Sequence, residues 1–378
     1  MGRARNETVI PLKQRIVVAA DMHGCPNRCR HCYLGQAALT TLSAARLREV
    51  AALFRGWRRP GEDGPFFCGC KFSTWAREPD YGANYRDLYA LESELSDGAP
   101  ARYELLSVWR LARDASYGPW ARSIGTQKCQ ISFFGVGRTQ DWFHRRSGAF
   151  ADSLTATERL LDAGIMPRWQ LFVTRKLLPD AEQLLALAKQ MRIRERCEAI
   201  GTPWEVFCHV PGADGEARKI EWLRPTLEEI AGMPHELLQV SRRHRGRDEL
   251  WHTEEDLIRL IEGSEVEYPY AYRKPPITGF YLLPSGDVYS NWGTFEPWWR
   301  LGNLGREGLG VILQRYERAE PLAMRTIHSL PPTELVRRYG DASGQRLYSS
   351  ASDLLGLYLA RYCEQRRAAT ATRGGSDR

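Results

Sequence analysis

Ile16-Val-Val-Ala-Ala20 followed by Cys25-Pro-Asn-Arg-Cys29-Arg-His-Cys32 is the stretch that decides the fold. The first part is a short β-branched run and reads as a buried strand. The second sets three thiols in the loop that leaves that strand, with three and two residues between them. One tight loop with those spacings wraps three thiolates around a 4Fe–4S cluster and leaves the fourth iron open to a small molecule. Structural zinc is the alternative. It wants four ligands, normally as two separated pairs, and no second pair with that spacing follows, although His23 or His31 would complete a set. Nine cysteines is an odd number, and Met1 to Arg15 lack the apolar core of a secretory signal. A cytoplasmic chain with clustered thiols favours a metal site over a disulfide framework.

Outward from that loop, helical and strand-like patterns alternate. Ser43 to Phe54 reads as a helix with Ser43 as N-cap. Pro65 to Phe72 reads as a strand, Asn84 to Leu95 as a helix and Tyr103 to Val108 as a third strand. Leu111 to Ser123 reads as a helix and Cys129 to Phe134 as the fourth strand. Ser153 to Ala163 is an amphipathic helix closed by Gly164. Trp169 to Thr174 and Trp204 to Val210 are strands on either side of a helix from Ala181 to Met191. Six such alternations predict an α/β fold, a partial (β/α)6 TIM-type barrel with helices outside.

After about residue 225 the pattern changes to a smaller α+β extension. Leu227 to Val240 and Glu254 to Glu262 read as helices. Phe280 to Leu283 and Val288 to Asn291 flank the turn Pro284-Ser-Gly-Asp287 as a hairpin, and Leu309 to Arg318 and Ala351 to Arg361 are helical. The chain thus divides into an N-terminal segment (1–14), a core (15–224), an extension (225–365) and a disordered tail (366–378).

Composition is that of an ordinary globular protein, 43% hydrophobic and 26% charged with a formal charge of +7, and no apolar run is long enough to span a bilayer. The basic run at Arg242, Arg243, His244, Arg245 and Arg247 would need flanking aromatics on one face to serve as a nucleic-acid or phosphate patch. It reads as a solvated loop, and neither a nucleic acid nor a membrane is an expected partner.

With these features the sequence resembles the radical S-adenosylmethionine superfamily over roughly residues 15 to 215, and more faintly to residue 318. The resemblance implies that the cluster's open iron chelates the methionine moiety of S-adenosylmethionine and that reductive cleavage yields a 5′-deoxyadenosyl radical. It implies an external one-electron reductant of flavodoxin or ferredoxin type. His31, before the third cysteine, stands where the family packs an aromatic residue on adenine, with Tyr33 beside it. Ala76-Arg-Glu-Pro79 stands in place of the family's Gly-Gly-Glu-Pro, so Glu78 is expected to hold the methionine amino group, while both glycines are replaced. Ser107 and Ser132 are candidates for the ribose hydroxyls. Arg175 is the candidate for the methionine carboxylate, a role suited to a guanidinium fork.

Phe280 to Arg318 resembles the start of a SPASM or twitch extension. Cysteines that bind auxiliary clusters would follow its hairpin, yet Ser290 and Asn291 stand there, and Cys363 is the one cysteine beyond Cys208. Hard oxygen ligands suit such a cluster poorly, so an extension without its metal is expected, covering the barrel mouth. Cys208, beside His209 near the end of the sixth expected strand, is a candidate hydrogen-atom donor to a substrate radical.

Three functions follow. In the first, the radical abstracts hydrogen from a small polar metabolite such as a sugar, nucleoside or amino-acid derivative. Because no auxiliary cluster is expected to take a second electron, the outcome is redox-neutral. The second is a maturase acting on a peptide side chain. The third is a non-catalytic zinc or electron-transfer protein.

Overall fold

The computed structural model describes residues 10–36, 39–96, 104–212, 214–263, 277–290 and 294–374. Two sheets form the barrel. The first has the order β2-β1-β7-β8-β9, with β1 at Arg15–Ala20, β2 at Gly69–Ser73, β7 at Thr278–Leu282, β8 at Asp287–Ser290 and β9 at Arg300–Asn303. The second is β3-β4-β5, all parallel, at Lys128–Phe133, Met166–Phe172 and Val206–His209. A short antiparallel pair, β6 at His252–Thr253 and β10 at Leu347–Tyr348, lies apart from both.

The apolar run that opened the reading is β1. Ile16, Val18 and Ala20 are buried on its outer face, while Val17 and Ala19 are half-buried on the other. It sits centrally, parallel to β2 on one side and to β7 on the other, with Val18 beside Phe72 and Phe280. The C-terminal hairpin therefore widens the first sheet, and its residues share a hydrophobic core with Leu47, Phe54 and Phe72. β3, β4 and β5 build a second core with the helices Ala149–Asp162 and Ala181–Gln190.

Four expectations differ. Glu104–Ser107 forms no strand between β2 and β3. It gives β3 one backbone hydrogen bond, Gln130 N–H to the Glu104 carbonyl at 2.6 Å. Its Ser107 N–H goes instead to the Asp80 carboxylate at 2.7 Å, and the Ser107 hydroxyl caps the helix Val108–Leu111, so no ladder forms. The 227–240 segment breaks into Leu227–Ile230 and His235–Arg245, because Pro234 cannot continue a helix. The basic run lies in the last turn of His235–Arg245, where cations oppose the negative end of the helix dipole, rather than in a loop. The last helix runs from Ala351 to Gly374, past the expected start of a disordered tail.

Arg224 pins that helix to the barrel. It is buried, bonds both carboxylate oxygens of Asp353 at 3.1 Å, donates to the Leu347 carbonyl and stacks on Tyr348 at 4.1 Å. Removing one partner of so buried a pair costs about 3–5 kcal/mol. Among the described residues no helix is long and apolar enough to cross a membrane.

Candidate active site at the cysteine loop

The loop after β1 is held at both ends. Gly24 N–H and the Arg77 guanidinium both bond the Asp21 carboxylate, at 2.7 and 2.8 Å, and Arg77 and Asp21 are almost wholly buried. Arg77 also donates to the carbonyls of Gly35 and Leu34 at 2.8 and 3.1 Å. The residue that replaces a family glycine therefore ties the end of β2 to the far end of the cysteine loop. Glu216 N–H closes on the Cys32 carbonyl at 2.9 Å. Gly215 beside it has φ +55°, and a Cβ there would collide with the carbonyls of Cys32 and Tyr33.

Glu78 follows β2 and reaches back to this loop. Its carboxylate lies 3.1 Å from both Cys25 Sγ and Asn27 Nδ2, and it accepts from the Ser107 hydroxyl at 2.7 Å. Ser107 is fully buried and orients Glu78 rather than offering itself to a sugar. Asp80, also fully buried, accepts from Tyr117 and from Ser107 N–H, and burial pushes its carboxyl up to about 7.

His31 turns inward. Its ring packs on Phe134 at 4.1 Å and Phe172 at 4.7 Å, residues that follow or end β3 and β4. Burial holds its pKa well below the ordinary value, and its Nδ1 is buried with no hydrogen-bond partner among the described residues. A polar ligand seated between the cysteine loop and these rings would meet that atom. Tyr33 is half-exposed beside it.

Ser132 lies on the inner face of β3. Its hydroxyl donates to Gln170 Oε1 at 2.8 Å, Gln130 donates to the same oxygen at 2.6 Å, and Gln170 Nε2 lies 2.6 Å from His209 Nε2. Burial lowers the His209 pKa to about 4, so this inner row is neutral. The Ser132 oxygen keeps lone pairs for a ligand's hydroxyl.

Two candidates lie elsewhere. Arg175 is 40% exposed, pairs with Glu229 at 2.8 Å and donates to the Trp222 carbonyl; its fork is not turned to the cysteine loop. Cys208 is fully buried in the core between β5 and the helices, and burial raises its thiol to about 12. The period of two along β5 puts His209, not Cys208, on the inner face. A thiol turned to the helix layer is not placed to quench a substrate radical. Ser290 is fully buried opposite Phe280 on β8, and Asn291 lies outside the described residues.

Sequence reasoning missed His144 and Gln140. Their spacing of four on the helix Arg138–His144 was the available signal, and a sequence separation of 115 from Cys29 hid the contact between Cys29 Sγ and His144 Nδ1 at 3.4 Å.

The donor set fits a cluster. Three thiols rise from one backbone-fixed loop, and burial holds all three above their ordinary pKa. Cationic iron would offset that penalty, since ligand thiols bind as thiolates.

No protein-family model matches the sequence, and no curated protein is similar to it at the sequence level. In structure the chain is similar to native anSMEcpe, an anaerobic sulfatase-maturating enzyme of SPASM type, with bound AdoMet. The TM-score is 0.50 at 12% identity, over 94% of this chain and 99% of that one. It is similar to native anSMEcpe with bound AdoMet and the Kp18Cys peptide, with a TM-score of 0.50 at 12% identity, over 95% and 99% of the two chains. At such low identity the likeness speaks for architecture, and that architecture carries the three-cysteine loop directly after its first strand. The chain therefore shares the fold of these solved structures, an α/β barrel followed by a smaller C-terminal extension.

Proposed function

We propose that this chain is a radical S-adenosylmethionine enzyme that acts on a peptide side chain. One observation carries the enzymatic part: Glu78, in the turn after β2, stands 3.1 Å from the first cysteine of the loop. That puts an anionic group at the cysteine loop, where it can meet the ammonium of a ligand bound there.

Cys25, Cys29 and Cys32 would hold the cluster. When bound and reduced, it supplies the electron that splits S-adenosylmethionine into methionine and a 5′-deoxyadenosyl radical, which takes a hydrogen atom from the substrate. Glu78 accepts hydrogen bonds from the methionine ammonium, and Ser107 and Asn27 hold it in place. His31, with Phe134 and Phe172, walls the adenosyl end and excludes water. Ser132 accepts from a ribose hydroxyl, fixed in orientation by Gln170. The Arg175 position leaves the methionine carboxylate to another group. The electron would come from a flavodoxin or ferredoxin.

A solved structure of the same fold holds a peptide beside AdoMet, and no comparable observation favours a small metabolite. With Ser290 and Asn291 where auxiliary-cluster cysteines would stand, a redox-neutral change of the side chain is the outcome proposed.

The enzymatic part is tested by incubating the reduced, iron-loaded chain with S-adenosylmethionine. 5′-Deoxyadenosine and methionine should form in equal amounts. A cluster-loaded, reduced chain that releases neither would refute the reading.

A further inference from the structure

Gln140 is fully buried and its amide orientation is fixed by the backbone. Phe134 N–H lies 2.7 Å from Oε1, which must accept, and the Ser132 carbonyl lies 2.8 Å from Nε2, which must donate. That amide nitrogen also faces His144 Nε2 at 3.2 Å and Ser153 Oγ at 3.3 Å, which share its second hydrogen. An amide nitrogen donates and cannot accept, so a hydrogen on His144 Nε2 would meet only a donor there; Nε2 is therefore the bare nitrogen and Nδ1 carries the hydrogen. Nδ1 lies 3.4 Å from Cys29 Sγ. Ser132, Gln140, His144 and Cys29 thus form one connected set of hydrogen bonds from the end of β3 to the cysteine loop.

The backbone keeps that chain in register. Arg30 N–H donates to the Phe143 carbonyl at 2.7 Å and Arg28 N–H to that of His144 at 3.4 Å. The Arg30 guanidinium lies 4.2 Å over Trp142 of the same helix. The helix ends at Arg145 in the left-handed region, φ +52°, which turns the chain immediately after His144.

We propose that His144 is a positioning residue that donates an N–H···S hydrogen bond to the Cys29 sulfur and thereby sets the electron affinity of the cluster. The inference rests on the cluster reading above. A donor to a ligand sulfur draws charge from it most strongly in the reduced state, so the bond favours reduction. The tautomer is set from the barrel wall through Gln140, as outer partners of ligands commonly do.

The test compares the reduction midpoint of iron-loaded full-length chains. His144→Leu should lower the one-electron reduction equilibrium about tenfold, a fall of about 59 mV. His144→Asn, which places an amide N–H where Nδ1 stood, should stay near the native value. Equal midpoints in the native and Leu chains, or an equal fall in Leu and Asn, would overturn the proposal. If the Leu chain takes up no iron, nitrogen-15 spectra of the metal-free native chain decide. A protonated Nδ1 and bare Nε2 at His144 support the bond, and the opposite tautomer refutes it. Failure of the native chain to bind iron would instead sink the cluster reading, and that outcome is separate from these.

Discussion

Anaerobic reconstitution of a chain carrying Cys25→Ala, Cys29→Ala and Cys32→Ala should leave it without iron, against about four atoms per native chain. The effect is close to all-or-none because each thiol supplies one covalent iron–sulfur bond, and the six other cysteines cannot replace them. Cys70, Cys129, Cys197, Cys208 and Cys363 are buried in the hydrophobic cores, and Cys68 is exposed beside β2. The triple variant should keep its fold. The loop is anchored by Asp21, Arg77, Gly24 and Glu216 rather than by the sulfurs. Iron content and the far-ultraviolet spectrum check the two halves of this expectation. Iron retained by the triple variant, or one zinc and no iron in the native chain, would contradict it.

Glu78→Gln should weaken S-adenosylmethionine binding by about ten- to a hundredfold while leaving the iron content unchanged. Gln preserves the side chain's volume and an acceptor oxygen for Ser107 or Asn27, but removes the negative charge offered to the methionine ammonium. A hydrogen bond to a charged partner is worth about 1.5–3 kcal/mol, and each 1.4 kcal/mol is about tenfold in affinity. Ser107→Ala removes the hydroxyl that orients Glu78 at 2.7 Å, so it should show the smaller effect of the two. Titration of the iron-loaded chain by calorimetry measures both. Native affinity in the Gln variant would remove Glu78 from the cofactor site.

The sequence made the strands legible where burial is one-sided or complete. β1, β3 and β4 are runs whose hydrophobic sides alone suffice to place them. Residues 104–107 were misleading because Leu105 and Leu106 look strand-like, whereas long-range side-chain bonds to Asp80 decide the backbone there. The cysteine loop stood out by its local spacing, whereas Glu78, fifty-three residues from Cys25, was singled out through the Glu78-Pro79 pair of the resemblance. Cys208 failed as a site residue because position along the chain does not give the face of a strand until its register is known. Arg175 failed because the capping-box glutamate Glu229, more than fifty residues later, claims its guanidinium. Arg77 and His144 were invisible for the same reason in reverse. Their partners, Asp21 and Cys29, become neighbours only through the fold. Neighbouring residues set the helix and strand pattern; contacts between distant segments set which side chains work together.

The measurement that bears most directly on the central claim is the low-temperature electron paramagnetic resonance spectrum of the reduced, iron-loaded chain before and after S-adenosylmethionine is added. A three-cysteine cluster with one open iron predicts a spin-half signal that shifts when the cofactor binds and stays put when Glu78→Gln protein is given the same concentration below its weakened affinity. A reduced cluster whose signal does not respond to saturating S-adenosylmethionine in the native chain would contradict it.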